Sequence, residues 1–123
     1  MPYTIGEVAR MMNIAPSTLR YYEKEGLLSL GVRASNGQRT YTDDDIATLS
    51  IIEYLKFCGL PLKEIRSFLP LIRPGGETLS ARRDILAKER DNVRAQIAAL
   101  QTKLERLDFG CWYYETAQQY GSV

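Results

Sequence analysis

At 123 residues, 45% of them hydrophobic and 25% charged, the chain can bury one small core with an extension but not two large ones. It contains no histidine, which excludes His-based metal sites, Ser-His triads and the commonest general base, so neither an enzyme nor a cofactor is expected. Net charge is +1, with 8 Lys/Arg against 8 Asp/Glu in residues 1–72 and 8 against 7 in 73–123, so any attraction for a polyanion has to come from where the charges sit.

Taken in chain order, Thr4-x-x-Glu7 reads as a capping box opening a first helix whose apolar stripe is Ile5, Val8, Ala9 and Met12. Asn13 makes a turn, and Pro16 suits the first turn of a second helix, where its missing N–H costs nothing. Leu19, Tyr22 and Leu27 mark the inward side of that helix before Gly26 ends it. Tyr21 and Tyr22 lie about 100° apart on a helix and cannot both point outward; Tyr21 is assigned to the surface and Tyr22 to the core. Asn36-Gly37 is a tight-turn dipeptide, and Arg33, Gln38, Arg39 and Tyr41 would stand on short strands around it. Thr42-Asp43-Asp44-Asp45 opens a third helix, with acids on the positive end of the dipole and Ile46, Leu49, Ile51, Ile52 and Leu55 at helical spacing. Cys58-Gly59-Leu60-Pro61 breaks it, a fourth helix runs from about Pro61 to Leu69, and Pro70 and then Pro74-Gly75-Gly76 form a linker.

From Thr78 to Asp108 the pattern changes to heptads. Leu79, Leu86, Val93, Leu100 and Leu107 recur every seventh residue, and the companion positions are Arg83, Arg90, Ile97, Leu104 and Cys111, so only the second half is a full zipper. A helix of that span would measure roughly 46 Å, more than one small domain needs to cover. Leu86, Val93, Ile97, Leu100, Leu104 and Leu107 are the dimerisation candidates: an exposed stripe of Val93, Ile97, Leu100, Leu104 and Leu107 is a costly apolar patch, so a partner helix is the simplest explanation, and packing on the chain's own first domain is the other.

Leu19-Arg20-Tyr21-Tyr22-Glu23-Lys24-Glu25-Gly26-Leu27, preceded by Tyr3-Thr4-Ile5-Gly6-Glu7-Val8-Ala9 and followed by Tyr41-Thr42-Asp43-Asp44-Asp45-Ile46, closely resembles the MerR family of bacterial transcription regulators, in register from about Tyr3 to Leu69. The resemblance implies a mainly α fold: an N-terminal winged helix-turn-helix domain over 1–72, a long antiparallel coiled-coil dimerisation helix over 77–108, and a short C-terminal helix in an aromatic segment over 109–123. It also implies a homodimer that binds a palindromic operator in double-stranded promoter DNA and distorts it in response to an effector, reaching RNA polymerase indirectly through the promoter. Most family members carry Ser or Thr where this chain has Ala15, so the second helix is expected to start with a weaker cap.

Within residues 1–42 the basic groups Arg10, Arg20, Lys24, Arg33 and Arg39 face only Glu7, Glu23 and Glu25, which fits a locally positive surface. A helix in the major groove needs short or forked donors near its start; Ser17, Thr18, Arg20 and Tyr21 are the candidates, joined by Thr4 and Lys24. Arg20 suits either a guanine edge or a phosphate. Arg33, Asn36, Arg39 and Tyr41 would place the wing on phosphates or in the minor groove. The segment after Leu107 holds Cys111, Trp112, Tyr113, Tyr114 and Tyr120, for which three readings stand: packing on the partner subunit, a small effector pocket with Glu115 balancing a cation, or a thiol sensor at Cys111 or Cys58.

Metal-responsive members pair a cysteine before the long helix with others in a loop after it, whereas here Cys58 comes too early and only Cys111 comes late, so no metal is expected. Aldehyde-responsive members are similar over Glu77 to Leu86, but their signature cysteine falls about where this chain has Tyr54. Two cysteines, no signal peptide and no apolar run of spanning length lead to the expectation of a cytoplasmic protein without membrane association. The alternatives from other classes are an architectural DNA-bending protein of the excisionase kind, against which the heptads argue, and a protein-interaction adaptor.

Overall fold

Two reciprocal caps set where the first and third helices begin. The Thr4 hydroxyl accepts the Glu7 N–H at 3.1 Å while the Glu7 carboxylate accepts the Thr4 N–H at 2.9 Å, and Thr42 and Asp45 repeat the exchange at 3.2 and 2.9 Å. The computed structural model describes residues 2–28, 32–33, 39–72 and 75–121, with backbone alone at 32, 33 and 39. Its elements are β1 (Tyr3–Thr4), α1 (Ile5–Met12), α2 (Pro16–Lys24), β2 (Val32–Arg33), β3 (Arg39–Tyr41), α3 (Asp43–Phe57), α4 (Leu62–Ile72), a 3-10 turn (Gly75–Thr78) and α5 (Leu79–Tyr120). They divide into two units, residues 1–85 and 86–123.

In the first unit, Asn13 takes a left-handed conformation at φ 54° and turns the chain from α1 into α2. Pro16 starts α2 behind Ala15, which makes no side-chain cap, as the sequence leads one to expect. Gly26, at φ 76°, closes the helix, and the Leu27 N–H returns to the Tyr22 carbonyl at 2.9 Å. The sheet is antiparallel in the order β1-β3-β2, pairing Tyr3 with Tyr41 and Val32 with Thr40. The strand positions Arg33, Arg39 and Tyr41 were legible, while the Asn36-Gly37 turn and Gln38 lie outside the described residues; β1 was not legible, because it is two residues long and runs straight into the cap of α1.

Val8, Leu19, Tyr22, Tyr41, Leu49, Ile52, Leu55 and Ile65 are fully buried and form the centre of this unit. Each large apolar side chain closed off from water contributes about 1.5–3 kcal/mol, so this cluster dominates the stability of the domain. Polar groups at its edge are paired: the Tyr22 hydroxyl donates to Glu53 at 2.6 Å and accepts from Lys56 Nζ at 2.8 Å, joining α2 to α3. Arg66 on α4 donates to the Glu25 carbonyl at 3.0 and 3.2 Å, supplying a cation to the C-terminal end of α2.

Two boundaries differ from the sequence reading. Pro70 does not end α4, which continues to Ile72. In the final turn a proline forfeits one helical hydrogen bond, not a series of them, and the helix tolerates it there. The aromatic tail does not form a separate short helix either. α5 is one helix of 42 residues through Tyr120, with Gly110 inside it and Gly121 following at φ 76°. Asp108-Phe109-Gly110 contains no proline, and a single interior glycine costs only about 1 kcal/mol.

Candidate nucleic-acid interface

Helix α2 has two distinct sides. Leu19, Tyr22 and Glu23 are buried, while Ser17, Arg20, Tyr21 and Lys24 follow one another at spacings of three, one and three residues and are all exposed. That spacing places the four side chains on one helical stripe, which carries two cations, Arg20 and Lys24. Tyr21 is 49% exposed and Tyr22 1%, so the outward and inward assignments of the two tyrosines hold. Their rings meet at 6.3 Å between centroids, and the Tyr22 ring also lies 5.3 Å from Lys56 Nζ. Thr18, half-buried, lines a hollow of about 600 Å³ together with Ser17, Tyr21, Lys56 and Gly59.

The electrostatics come from where the acids are used. Glu7 is engaged in the α1 cap, Glu23 is buried against the Tyr41 hydroxyl, and Glu25 lies 3.4 Å from Arg66. The hydrogen bond from the Thr4 amide holds the Glu7 carboxyl below its ordinary 4.5. All three carboxylates of residues 1–42 are thus held by internal partners, whereas Arg10, Arg20 and Lys24 are exposed and none of the described residues forms an ion pair with them. A nearly neutral chain therefore presents a positive strip beside an aromatic ring, the composition that suits a phosphate backbone and base edges.

Tyr41 is corrected. It was expected on the wing surface, but it is fully buried on β3, where its hydroxyl donates to Glu23, so it serves the core and not a nucleic acid. Thr4 is taken up in the α1 cap. The backbones of Arg33 and Arg39 pair with each other across β2 and β3; their side chains, and Asn36 altogether, lie outside the described residues. Sequence reasoning passed over Glu25–Arg66, which sets the end of the α2 stripe; its only sequence signal is an arginine on the next helical hairpin.

In the second unit no residue of α5 is buried, and Leu100, Leu104 and Leu107 are 60%, 57% and 59% exposed. The tail candidates do not share one face. Cys111 and Tyr114 continue the heptad seam, while Trp112 and Tyr113 surround Phe109 on the other side at ring separations of 5.8 and 6.4 Å, with Tyr120 seven residues beyond Tyr113. Among the described residues no three His, Cys, Asp or Glu side chains gather to hold a metal, and no helix is long and apolar enough to cross a membrane. Cys58 is half-buried and Cys111 exposed, both as free thiols; a hydrogen bond with Cys58 raises the Tyr54 phenol above its usual value.

Comparison with known proteins agrees with this geometry. Residues 3–71 match the MerR HTH family regulatory protein model and residues 46–108 the model described as MerR, DNA binding. An uncharacterised HTH-type transcriptional regulator of Haemophilus influenzae is 37% identical over all of this chain and 91% of its own length, and the regulator ZntR of Escherichia coli is 36% identical over 89% of this chain and 80% of its own. Among solved structures, HiNmlR, described as a MerR family regulator lacking the sensor domain and bound to promoter DNA, superposes with a TM-score of 0.69 at 36% identity, covering 100% of this chain and 93% of that one. The chain belongs to the MerR family of DNA-binding transcriptional regulators.

Proposed function

We propose that the chain acts as a homodimer on a palindromic operator in promoter DNA, each protomer inserting the start of α2 into a major groove. Ser17, Thr18, Arg20 and Tyr21 would meet base edges and nearby phosphates, Lys24 a phosphate, and Arg33, Asn36 and Arg39 the flanking backbone or minor groove. The observation that carries this reading is the exposed Ser17–Arg20–Tyr21–Lys24 stripe, whose two cations form no ion pair among the described residues. Support for the dimer is the run of exposed heptad side chains on α5, whose apolar area is unfavourable in water without a partner helix.

With its two reading heads at a fixed separation, such a dimer binds most tightly to DNA that is bent or untwisted to match, so contact energy offsets a deformation cost of several kcal/mol. RNA polymerase would then respond to the altered promoter and not to a direct contact. A small-molecule effector acting through the Cys111–Tyr120 segment would shift the balance between distorted and undistorted complexes. Leu100→Arg tests the dimer: sedimentation should show a monomer with much weaker operator affinity, and an unchanged mass would contradict the reading.

A further inference from the structure

The turn from α3 into α4 faces the start of α2 across the hollow of about 600 Å³. Gly59, at φ 95°, reverses the chain after Cys58 in a conformation that suits a residue without a side chain, and so brings Leu60 and Leu62 opposite Ser17 and Thr18. Leu60 and Ile65 are buried and, with the half-buried Leu62, give the hollow an apolar floor. Its aromatic wall is Tyr21 and Tyr22, whose rings stand at 52° to each other.

The polar groups around this floor are not used up by the fold. An ammonium has three donors, of which Lys56 gives one to the Tyr22 hydroxyl at 2.8 Å. Glu53 stands 3.9 Å from the same nitrogen, beyond hydrogen-bond reach, so Lys56 keeps a donor for a ligand. Among the described residues the Ser17 and Thr18 hydroxyls have no hydrogen-bond partner. A flat aromatic body carrying one negative charge matches this lining, with its ring against Tyr21 and the leucines, one oxygen on Lys56 and the other on Ser17 or Thr18. A single cation with an acid beside it suits a carboxylate and not a doubly charged phosphate ester. The volume falls within the roughly 300–1,000 Å³ typical of small-molecule sites.

We propose that this hollow binds a small aromatic monocarboxylate and that its occupation excludes duplex DNA from α2. The second half rests on the DNA-reading role proposed for that helix. Ser17 and Tyr21 belong both to the hollow and to the exposed stripe, so a ligand there covers part of the stripe and sets a negative charge beside Arg20 and Lys24. The attraction for phosphates is weakened at the place where contact begins. DNA is thereby released through the reading domain itself, independently of the aromatic segment after Leu107.

The test titrates the full chain by calorimetry with naphthoate, with naphthalenemethanol as its neutral counterpart and naphthalenemethylamine as its cationic one. Naphthoate should bind about tenfold more tightly than the alcohol, the difference expected for a hydrogen bond to a charged group, and Lys56→Gln should remove that difference. In the NMR spectrum of the unsubstituted chain the amide signals of Ser17, Thr18, Gly59 and Leu62 should shift on binding. At about ten times its own dissociation constant, naphthoate should weaken duplex binding by at least about tenfold, as mutually exclusive ligands do. Equal binding of all three compounds, or shifts confined to the aromatic end of α5, overturns the site. Full duplex affinity with naphthoate seated in the hollow overturns the exclusion. Failure of the ligand-free chain to bind any duplex takes down the DNA-reading role and the exclusion with it, while the site stands or falls on the titration alone.

Discussion

The hydroxyl of Tyr41, on the central strand, donates to the carboxylate of Glu23, on the buried side of the helix whose opposite side carries Ser17, Arg20, Tyr21 and Lys24. A buried hydrogen bond thereby joins the sheet to α2. Tyr41→Phe keeps the ring and removes a donor from a buried carboxylate, which should cost about 1–3 kcal/mol in chemical denaturation. Operator affinity measured well below the melting temperature should change little, because Tyr41 is inside the fold; a large loss of affinity at unchanged stability would return it to the DNA surface.

Neighbouring tyrosines on α2 should behave oppositely. Tyr22→Ala empties a fully closed site and is expected to destabilise by about 3–5 kcal/mol. Tyr21→Ala should leave the unfolding midpoint nearly unchanged and weaken operator binding. Arg20→Ala and Lys24→Ala should each reduce the slope of log affinity against log salt by about 1 if both neutralise phosphates. A full slope in the Arg20 variant, with relaxed sequence preference, would instead place Arg20 on a base edge.

Much of this was readable beforehand, and the places where it was not have identifiable causes. Capping boxes are local, so Thr4–Glu7 and Thr42–Asp45 announce their helices in four residues each. Asn13, Pro16 and Gly26 are likewise local backbone constraints. Tyr41 misled because a three-residue strand offers no alternation from which to tell its two faces, and a tyrosine beside basic residues suits either a core with a polar partner or a phosphate. The tail differs because aromatic density suggests a change of element, whereas without a proline or cap α5 simply continues. Arg66, which holds Glu25 across 41 residues of sequence, carries no local signal at all.

The caps give a prediction in acid. Thr4→Ala and Thr42→Ala should each cost about 1 kcal/mol near neutral pH. Because hydrogen bonding to Thr4 lowers the Glu7 carboxyl below 4.5, its contribution is present above that pH and is lost as pH falls through the lower folded value. Glu7→Gln, which keeps an acceptor for the Thr4 amide but cannot titrate, should therefore flatten the acid limb of the stability profile, while identical limbs in variant and parent would show that the cap carries no linkage.

At the alkaline end Tyr22 should dominate. Burial first, and then its hydrogen bond to Glu53, raises the phenol above its ordinary 10.0. The unfolded chain ionises there before the folded one does, so stability is intact below pH 10 and declines as pH rises beyond it. Tyr22→Phe should show a shallower decline than the parent in denaturant titrations across that range; parallel declines would assign the alkaline limb to other groups.

The most direct test of the account is selection of bound sequences from random duplex DNA by the purified full-length chain, at moderate salt so that bulk phosphate attraction does not mask specificity. The account predicts an inverted repeat with constant half-site spacing, which the Arg20→Ala variant fails to enrich. Recovery of no motif, or of a lone half-site, would contradict a dimeric operator-binding regulator.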